Sequence, residues 1–293
     1  MADLKPQNQL ARIDFGNPKM QPMIRLLQTN IRQETQKWQP GADIRLRWEA
    51  FSIPDLPAFS CLILESKETK GNCLFCHGGG MILPLQVSSL KIAEYLARAA
   101  KISVWVPDYH LPPDAPFPLP MKECLHVWQA MSQASETNIL YGESVGGALA
   151  ASLAMVLRDQ QEKQPQTLLL VDPVTDCETE KYPSAALDAQ ATWTLRNNKT
   201  MWSLYLPQES ALYAVPMRED AQGLPPTYLE TAEIDILRDE GEAFGQKLRA
   251  AGVAVEMRRI ADAWHGFDTE IDHPDVRHTL QMRAQFISNA LGG

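Results

Sequence analysis

The chain has 293 residues, 45% of them hydrophobic, enough for a buried core in one large α/β domain or two small ones. Its 27 basic and 36 acidic residues give a formal charge of −9, which argues against a general nucleic-acid binder or a partner for anionic membranes. No run approaches the roughly eighteen apolar residues of a membrane span.

In chain order, residues 18–38 carry Met20, Met23, Ile24, Leu27 and Ile31 at helical spacing, and Pro40-Gly41 ends the run. This predicts an amphipathic helix, either lying on a core or serving as a flap over a site. From Ile44 onward strands and helices alternate. Ile44, Leu46, Trp48 and Ala50 alternate with Arg45, Arg47 and Glu49, as in a half-buried antiparallel strand, and residues 59–64 look like its partner. Short buried strands are predicted at 73–76, 102–106, 138–141, 167–171, 227–231 and 253–259. Helices are predicted at 87–100, 121–131, 145–158, 239–251 and 275–291, with Gly252 stopping the fourth of these. Residues 182–217 break the rhythm. They hold Trp193, Trp202, Leu204, Tyr205 and Tyr213 but no clear strand, and read as a helical insertion. The alternation implies a mostly parallel central sheet flanked by helices, in which ligands bind beyond the carboxyl ends of the strands.

Two glycine-bearing stretches lie at such ends. One is His77-Gly78-Gly79-Gly80. The other, Gly142-Glu143-Ser144-Val145-Gly146, fits G-x-S-x-G, the sharp strand-to-helix turn that exposes a serine nucleophile. The first fits a loop that offers backbone N–H groups to a developing oxyanion. Gly78 and Gly79 are the expected donors, joined by the N–H of Val145, the residue after the serine. A phosphate cradle would need Lys-Ser/Thr after the glycines, and none follows. His77 is read as structural.

A serine hydroxyl needs a base, and the base needs an orienting carboxylate. After Ser144 the histidines are His265, His273 and His278. His265 falls on a loop soon after the predicted strand 253–259. His273 precedes Pro274 and His278 sits inside the last helix, so His265 is the expected base. The carboxylate should follow strand 227–231, where Glu233, Asp235, Asp239 and Glu240 are available. Asp239 and Glu240 suit the first turn of the next helix, and Asp235 lies in the loop before it. Asp235 is therefore the expected acid.

The five cysteines, Cys61, Cys73, Cys76, Cys124 and Cys177, are odd in number, and residues 1–9 are polar, with no apolar core of a signal peptide. A reducing, cytoplasmic setting with free thiols is expected. Cys73 and Cys76 form C-x-x-C, but on a strand they point to opposite faces, and no second pair completes a zinc site. No metal and no cofactor are expected. The expected partner is a small-molecule ester, and a homodimer is left open.

These stretches resemble the hormone-sensitive-lipase-like family of α/β-hydrolases, in its bacterial carboxylesterase branch. The resemblance rests on His77-Gly-Gly-Gly80, Pro107-Asp-Tyr-His-Leu-Pro-Pro-Asp-Ala-Pro-Phe-Pro118, Gly142-Glu-Ser-Val-Gly-Gly147, the stretch 224–241 around Asp235, and His265-Gly-Phe267. It implies the α/β-hydrolase fold from about Ile44 onward, a Ser144–Asp235–His265 triad, and oxyanion donors at Gly78 and Gly79. It also implies a helical cap built from residues 1–43 and an insertion at about 180–217. The chain departs from the family at Glu143 and Val145, where Asp and Ala are common, at His110, where Arg is usual, and at Leu83-Pro84, where another Gly is frequent.

Serine carboxylesterase activity through an acyl-serine intermediate is the leading expectation. Met81, Ile82, Leu83 and the branched Val145 are expected to crowd the site and favour short acyl chains. Amidase, lactonase or peptidase chemistry on the same triad stays open, since fold does not fix the leaving group. A non-catalytic small-molecule receptor on this fold is the reading from another class, and the retained His265 argues against it.

Overall fold

The computed structural model describes residues 13–206 and 211–292. The polar stretch 1–9 and the start of the predicted cap segment lie outside them, as does part of the insertion. Eight strands form one sheet in the order β1-β2-β4-β3-β5-β6-β7-β8. They are β1 Ile44–Phe51, β2 Phe59–Ser66, β3 Asn72–Cys76, β4 Ser103–Asp108, β5 Asn138–Glu143, β6 Thr167–Val171, β7 Thr227–Ile234 and β8 Val255–Trp264. The predicted antiparallel pair is β1 with β2, in register from Ile44 opposite Ser66 to Phe51 opposite Phe59. β2 also runs antiparallel to β4, and every later pairing is parallel.

The helices are α1 Gln21–Lys37, α2 Val87–Ala100, α3 Leu119–Gln133, α4 Val145–Asp159, α5 Leu195–Tyr205, α6 Arg238–Ala250 and α7 Pro274–Ala290. They cover both faces of the sheet, because the parallel strands are apolar on both sides and need cover on each. Strand β3 shows this directly. Leu74 and Cys76 join the cluster of α3, α4 and α6, while Cys73 and Phe75 join that of α2 and α7. The two cysteines of the C-x-x-C thus point apart, as the strand period requires. Each fully buried leucine in these clusters contributes about 2 kcal/mol. Helix α4 is buried from Val145 to Leu157, since its alanines and glycines let it lie close on the sheet. Helix α6 ends where predicted. Gly252 takes φ +84, and Val253 N–H reaches back to the Leu248 carbonyl.

Helix α1 is amphipathic but only Ile24 and Thr35 on it are buried. It is fastened by polar bonds: Gln28 donates to the Ile82 carbonyl at 2.7 Å and Thr35 to that of Leu85 at 2.7 Å. The chain before it is tied to α5, since Asn197 donates to the Ile13 carbonyl and Phe15 N–H meets the Asn197 side chain. Among the described residues the insertion holds short 3-10 turns, Pro183–Leu187 and Pro216–Arg218, and helix α5. No helix of the described residues is long and apolar enough to cross a membrane.

Candidate active site

Strands β3, β5, β6, β7 and β8 end on one rim, at Cys76, Glu143, Val171, Ile234 and Trp264. Gly78, Ser144, Asp172 and His265, just beyond four of these ends, line a cavity of about 190 Å³. Ser144 stands directly after β5 with φ 53 and ψ −122, a strained conformation for a residue with a side chain. The turn is over-determined by what surrounds it. A Cβ on Gly142 would sit 2.2 Å from the Gly146 carbonyl oxygen, and one on Gly146 would sit 2.0 Å from that of Cys76. Only glycine fits at either position, which is why G-x-S-x-G carries its glycines. The Ser144 carbonyl accepts from Gly147 and Val174, and its N–H donates to the Val171 carbonyl. The hydroxyl is therefore raised over the start of α4.

The three residues expected to act together form one hydrogen-bonded chain. Ser144 Oγ lies 2.9 Å from His265 Nε2, and His265 Nδ1 lies 2.7 Å from Asp235 Oδ2. His265 follows the last residue of β8 and Asp235 the last residue of β7. Asp235 is 1% exposed, and its other oxygen accepts from Leu237 N–H. Of the competing carboxylates, Asp239 accepts from Ser184 N–H and pairs with Arg238, while Glu240 is buried against Thr175, Asp176 and Thr179. Glu233 accepts from Asp262 N–H. None of these three is bonded to His265. Burial works against a charged His265, but the Asp235 carboxylate beside it prevails, with Asp172 and Asp268 behind, and its pKa is raised to about 9.

The glycine loop departs from expectation at one donor. Gly78 N–H is given to the Glu143 carboxylate at 3.1 Å, so it is engaged before any substrate arrives. The N–H groups of Gly79, Gly80 and Val145 have no acceptor among the described residues. Gly79 takes φ +116 and Gly80 φ +61, and a Cβ on Gly80 would strike the Trp193 ring at 2.3 Å. Glu143 also accepts from Ser89, and its removal from bulk water lifts its pKa to about 7. It is a strut between β5, α2 and the loop. His77 is a second strut. Its Nδ1 donates to the Gly78 carbonyl, its ring stacks on Tyr109 at 4.2 Å, and Tyr109 donates to the His77 carbonyl. Burial lowers its pKa to about 4, so it stays neutral. His110, where the family has Arg, binds the fully buried Glu123 through both its ring and its N–H.

Two expectations about crowding change. Val145 is 1% exposed, its side chain lies in the core, and it does not line the cavity. Met81 and Ile82 are likewise turned into the core, and of that trio only Leu83 reaches the cavity. The apolar walls are Leu83, Ile92, Val171, Trp193 and Trp264.

The sequence reading overlooked Asp172, Asp268 and the buried Arg283. Asp172 follows β6 directly, in the same strand-end position that singled out Asp235 on β7. Arg283 of α7 is fully buried and bonds the buried Glu230 of β7, Asp268 at 2.8 Å and the Tyr141 hydroxyl at 3.0 Å. It braces the loop that carries His265, and a buried charge needs such partners. Its signal in the sequence was absent, because an arginine on an amphipathic helix reads as a solvated one. Four cysteines are buried and Cys177 is half-buried, with no disulfide among them. Among the described residues, one group of side chains has metal-ligand atoms close together, Asp172, Asp235 and His265. Both nitrogens of His265 are already used, one toward Asp235 and one toward Ser144, so this donor set serves hydrogen bonding.

A family model described as "alpha/beta hydrolase fold" matches residues 73–269. An esterase of Gibberella moniliformis is 31% identical over 232 residues, covering 72% of this chain and 72% of that one. Carboxylic ester hydrolase LipN of Mycobacterium tuberculosis is 29% identical over 249 residues, covering 78% of this chain and 66% of that one. Esterase LipW from Mycobacterium marinum superposes with a TM-score of 0.87 at 24% identity, covering 97% and 94% of the two chains. Strand order, glycine turn and family match agree, and the chain belongs to the α/β-hydrolase family of hormone-sensitive-lipase-like carboxylic ester hydrolases.

Proposed function

We propose that the protein hydrolyses short-acyl carboxylic esters through an acyl-serine intermediate. The observation that carries this is the unbroken chain from Ser144 Oγ through His265, both of which line the cavity, to the buried Asp235 behind them. Ser144 Oγ attacks the ester carbonyl and His265 Nε2 takes its proton. Asp235 holds Nδ1–H and so fixes the tautomer that leaves Nε2 free to accept. Negative charge on the carbonyl oxygen is met by the N–H groups of Gly79, Gly80 and Val145, with Gly78 one step back, held on Glu143. His265 then protonates the leaving alcohol. Water then attacks the acyl carbon as His265 takes its proton, and His265 returns that proton to Ser144 Oγ as the acyl–oxygen bond breaks and the acid leaves.

The short-acyl reading is supported by the cavity's size, about 190 Å³, which is below the usual range of ligand pockets. Among the described residues of the aromatic insertion, only Thr192 and Trp193 line its walls. Tyr205 packs against Phe117 and Trp202 against Tyr205, and neither lines the cavity at Ser144. The segment before β1 and the insertion act together as the cap, with Phe15 against Trp193 and Trp193 6.4 Å from the His265 ring.

Fluorophosphonate labelling of Ser144, followed by intact mass, tests the nucleophile. p-Nitrophenyl esters from acetate to palmitate, with matched anilides, test the rest. The reading expects kcat/KM to peak between about two and six acyl carbons, where each added buried methylene contributes about 0.8 kcal/mol, and to fall beyond. A maximum at ten carbons or more rejects the short-acyl reading, and faster anilide turnover makes the enzyme an amidase.

A further inference from the structure

Asp172 is the residue of the rim with no task so far. It is 4% exposed, yet its Oδ1 has no hydrogen-bond partner. A buried carboxyl oxygen without a donor is costly, and such groups persist where they serve a site. The residue lines the cavity. Its backbone takes φ 43, a region that side-chain-bearing residues seldom adopt and that Asp and Asn tolerate best. Its N–H is pinned to the Glu230 carbonyl at 2.8 Å, so the conformation is imposed by pairing of β6 with β7. A carboxyl oxygen of Asp172, one of Asp235 and a ring nitrogen of His265 all lie within 4.8 Å of one another. The imidazole thus has acids from the ends of two adjacent strands close by.

We infer that Asp172 is a second acid for His265, a positioning residue that faces the imidazolium beside Asp235 and takes over its ring N–H when Asp235 is lost. The inference rests on the Ser144–His265–Asp235 reading above. Movement of about 2 Å or less closes the gap from 4.8 Å to an ordinary hydrogen bond near 2.8 Å, which a turn of the imidazole supplies. Two carboxyls this close do not both ionise readily, and Asp172 is the one held toward its protonated form. Burial and the Asp235 charge push Asp172 well above the usual carboxylate range, and Asp268 and Glu230 add to that push. When His265 takes the serine proton, its positive charge draws Asp172 toward its ionised form.

The test uses Asp172→Asn, Asp235→Ala and the double variant of the full chain, assayed with p-nitrophenyl butyrate from pH 5 to 10. Alanine at 235 removes the first acceptor without offering a competing amide. Loss of the only acid of such a triad costs about 10⁴-fold in kcat. With Asp172 in reserve, Asp235→Ala is expected to lose only about 10²-fold, and the double variant about 10⁴-fold. Asp172→Asn alone is expected to lower the midpoint of the acid limb by half a pH unit or more, because one of the groups favouring imidazolium is gone. The groups facing His265, namely Asp235, Asp172 and Asp268, otherwise stay in place. An Asp235→Ala enzyme as inactive as the double variant overturns the inference, as does an unmoved acid limb in Asp172→Asn. Asp172→Ser replaces the asparagine variant if circular dichroism shows the latter misfolded. Failure of the underlying reading is separate: it appears as a wild-type enzyme that fluorophosphonate does not label at Ser144.

Discussion

The rim of the sheet and the cap above it are built on different principles. At the rim, backbone meets backbone. The sites of Gly142 and Gly146 leave no room for one carbon, and the Ser144 conformation is held by bonds from its own N–H and carbonyl. In the cap, side chain meets side chain: Phe15 on Trp193, Asn197 on the chain at Ile13, Trp193 Nε1 on Asn198. Backbone packing fixes atoms to a few tenths of an ångström and tolerates one residue type. Side-chain packing accepts several shapes of similar volume. On the function proposed above, the rim sets the reaction geometry and the cap sets substrate size.

The largest blow to that division is Ser144→Ala. It should cut kcat by about 10⁴-fold or more while thermal unfolding stays within a few degrees of wild type. Retention of a tenth of the wild-type rate would remove Ser144 from the chemistry. Next comes Gly146→Ala. Its Cβ would lie 2.0 Å from the Cys76 carbonyl, so β3 and α4 must part. A loss of about 3 kcal/mol in stability and about 10²-fold in kcat/KM is expected, read by urea melts and kinetics. If Gly146→Ala is as mild as a change in the cap, the backbone argument fails.

The pH profile sharpens the account of the rim. His265 accepts a proton only when neutral, and its carboxylate neighbours raise its pKa to about 9. The rate should therefore fall as pH drops through that region, by about tenfold per unit below it, so the enzyme favours alkaline conditions. A plateau already complete at pH 6.5 would mean that the carboxylates exert no such hold. The smallest effect is expected in the cap. Trp193→Ala removes a wall that contacts Phe15 and overlies Gly80. It should shift the preferred acyl chain upward by two or more carbons with a several-fold change in kcat/KM, measured on the ester series. An unchanged acyl profile would place size selection elsewhere.

Legibility followed the same division. The strand ends and the order of Ser144, Asp235 and His265 were readable because a parallel sheet puts each strand's next residues on one rim, whatever the loops do. The boundaries moved by a few residues; β8 runs to Trp264, so His265 follows it at once. The direction of individual groups was not readable. Nothing along the chain says that Gly78 gives its N–H to Glu143, 65 residues away, or that Val145 turns its side chain into the core.

What the sequence determined by itself is everything that depends on local period and local sterics. Alternation gave the mostly parallel sheet, and the glycine spacing gave the two turns, because those constraints act between near neighbours in the chain. Only the tertiary structure decided which of several nearby groups face one another. It set Asp172 of β6 beside Asp235 of β7, buried Arg283 of α7 against Glu230 and Asp268, and laid α1 along the loop at Ile82 and Leu85. These contacts join residues far apart in the chain. Their energies come from burial and from pairing charges out of water, terms that no short stretch of sequence contains.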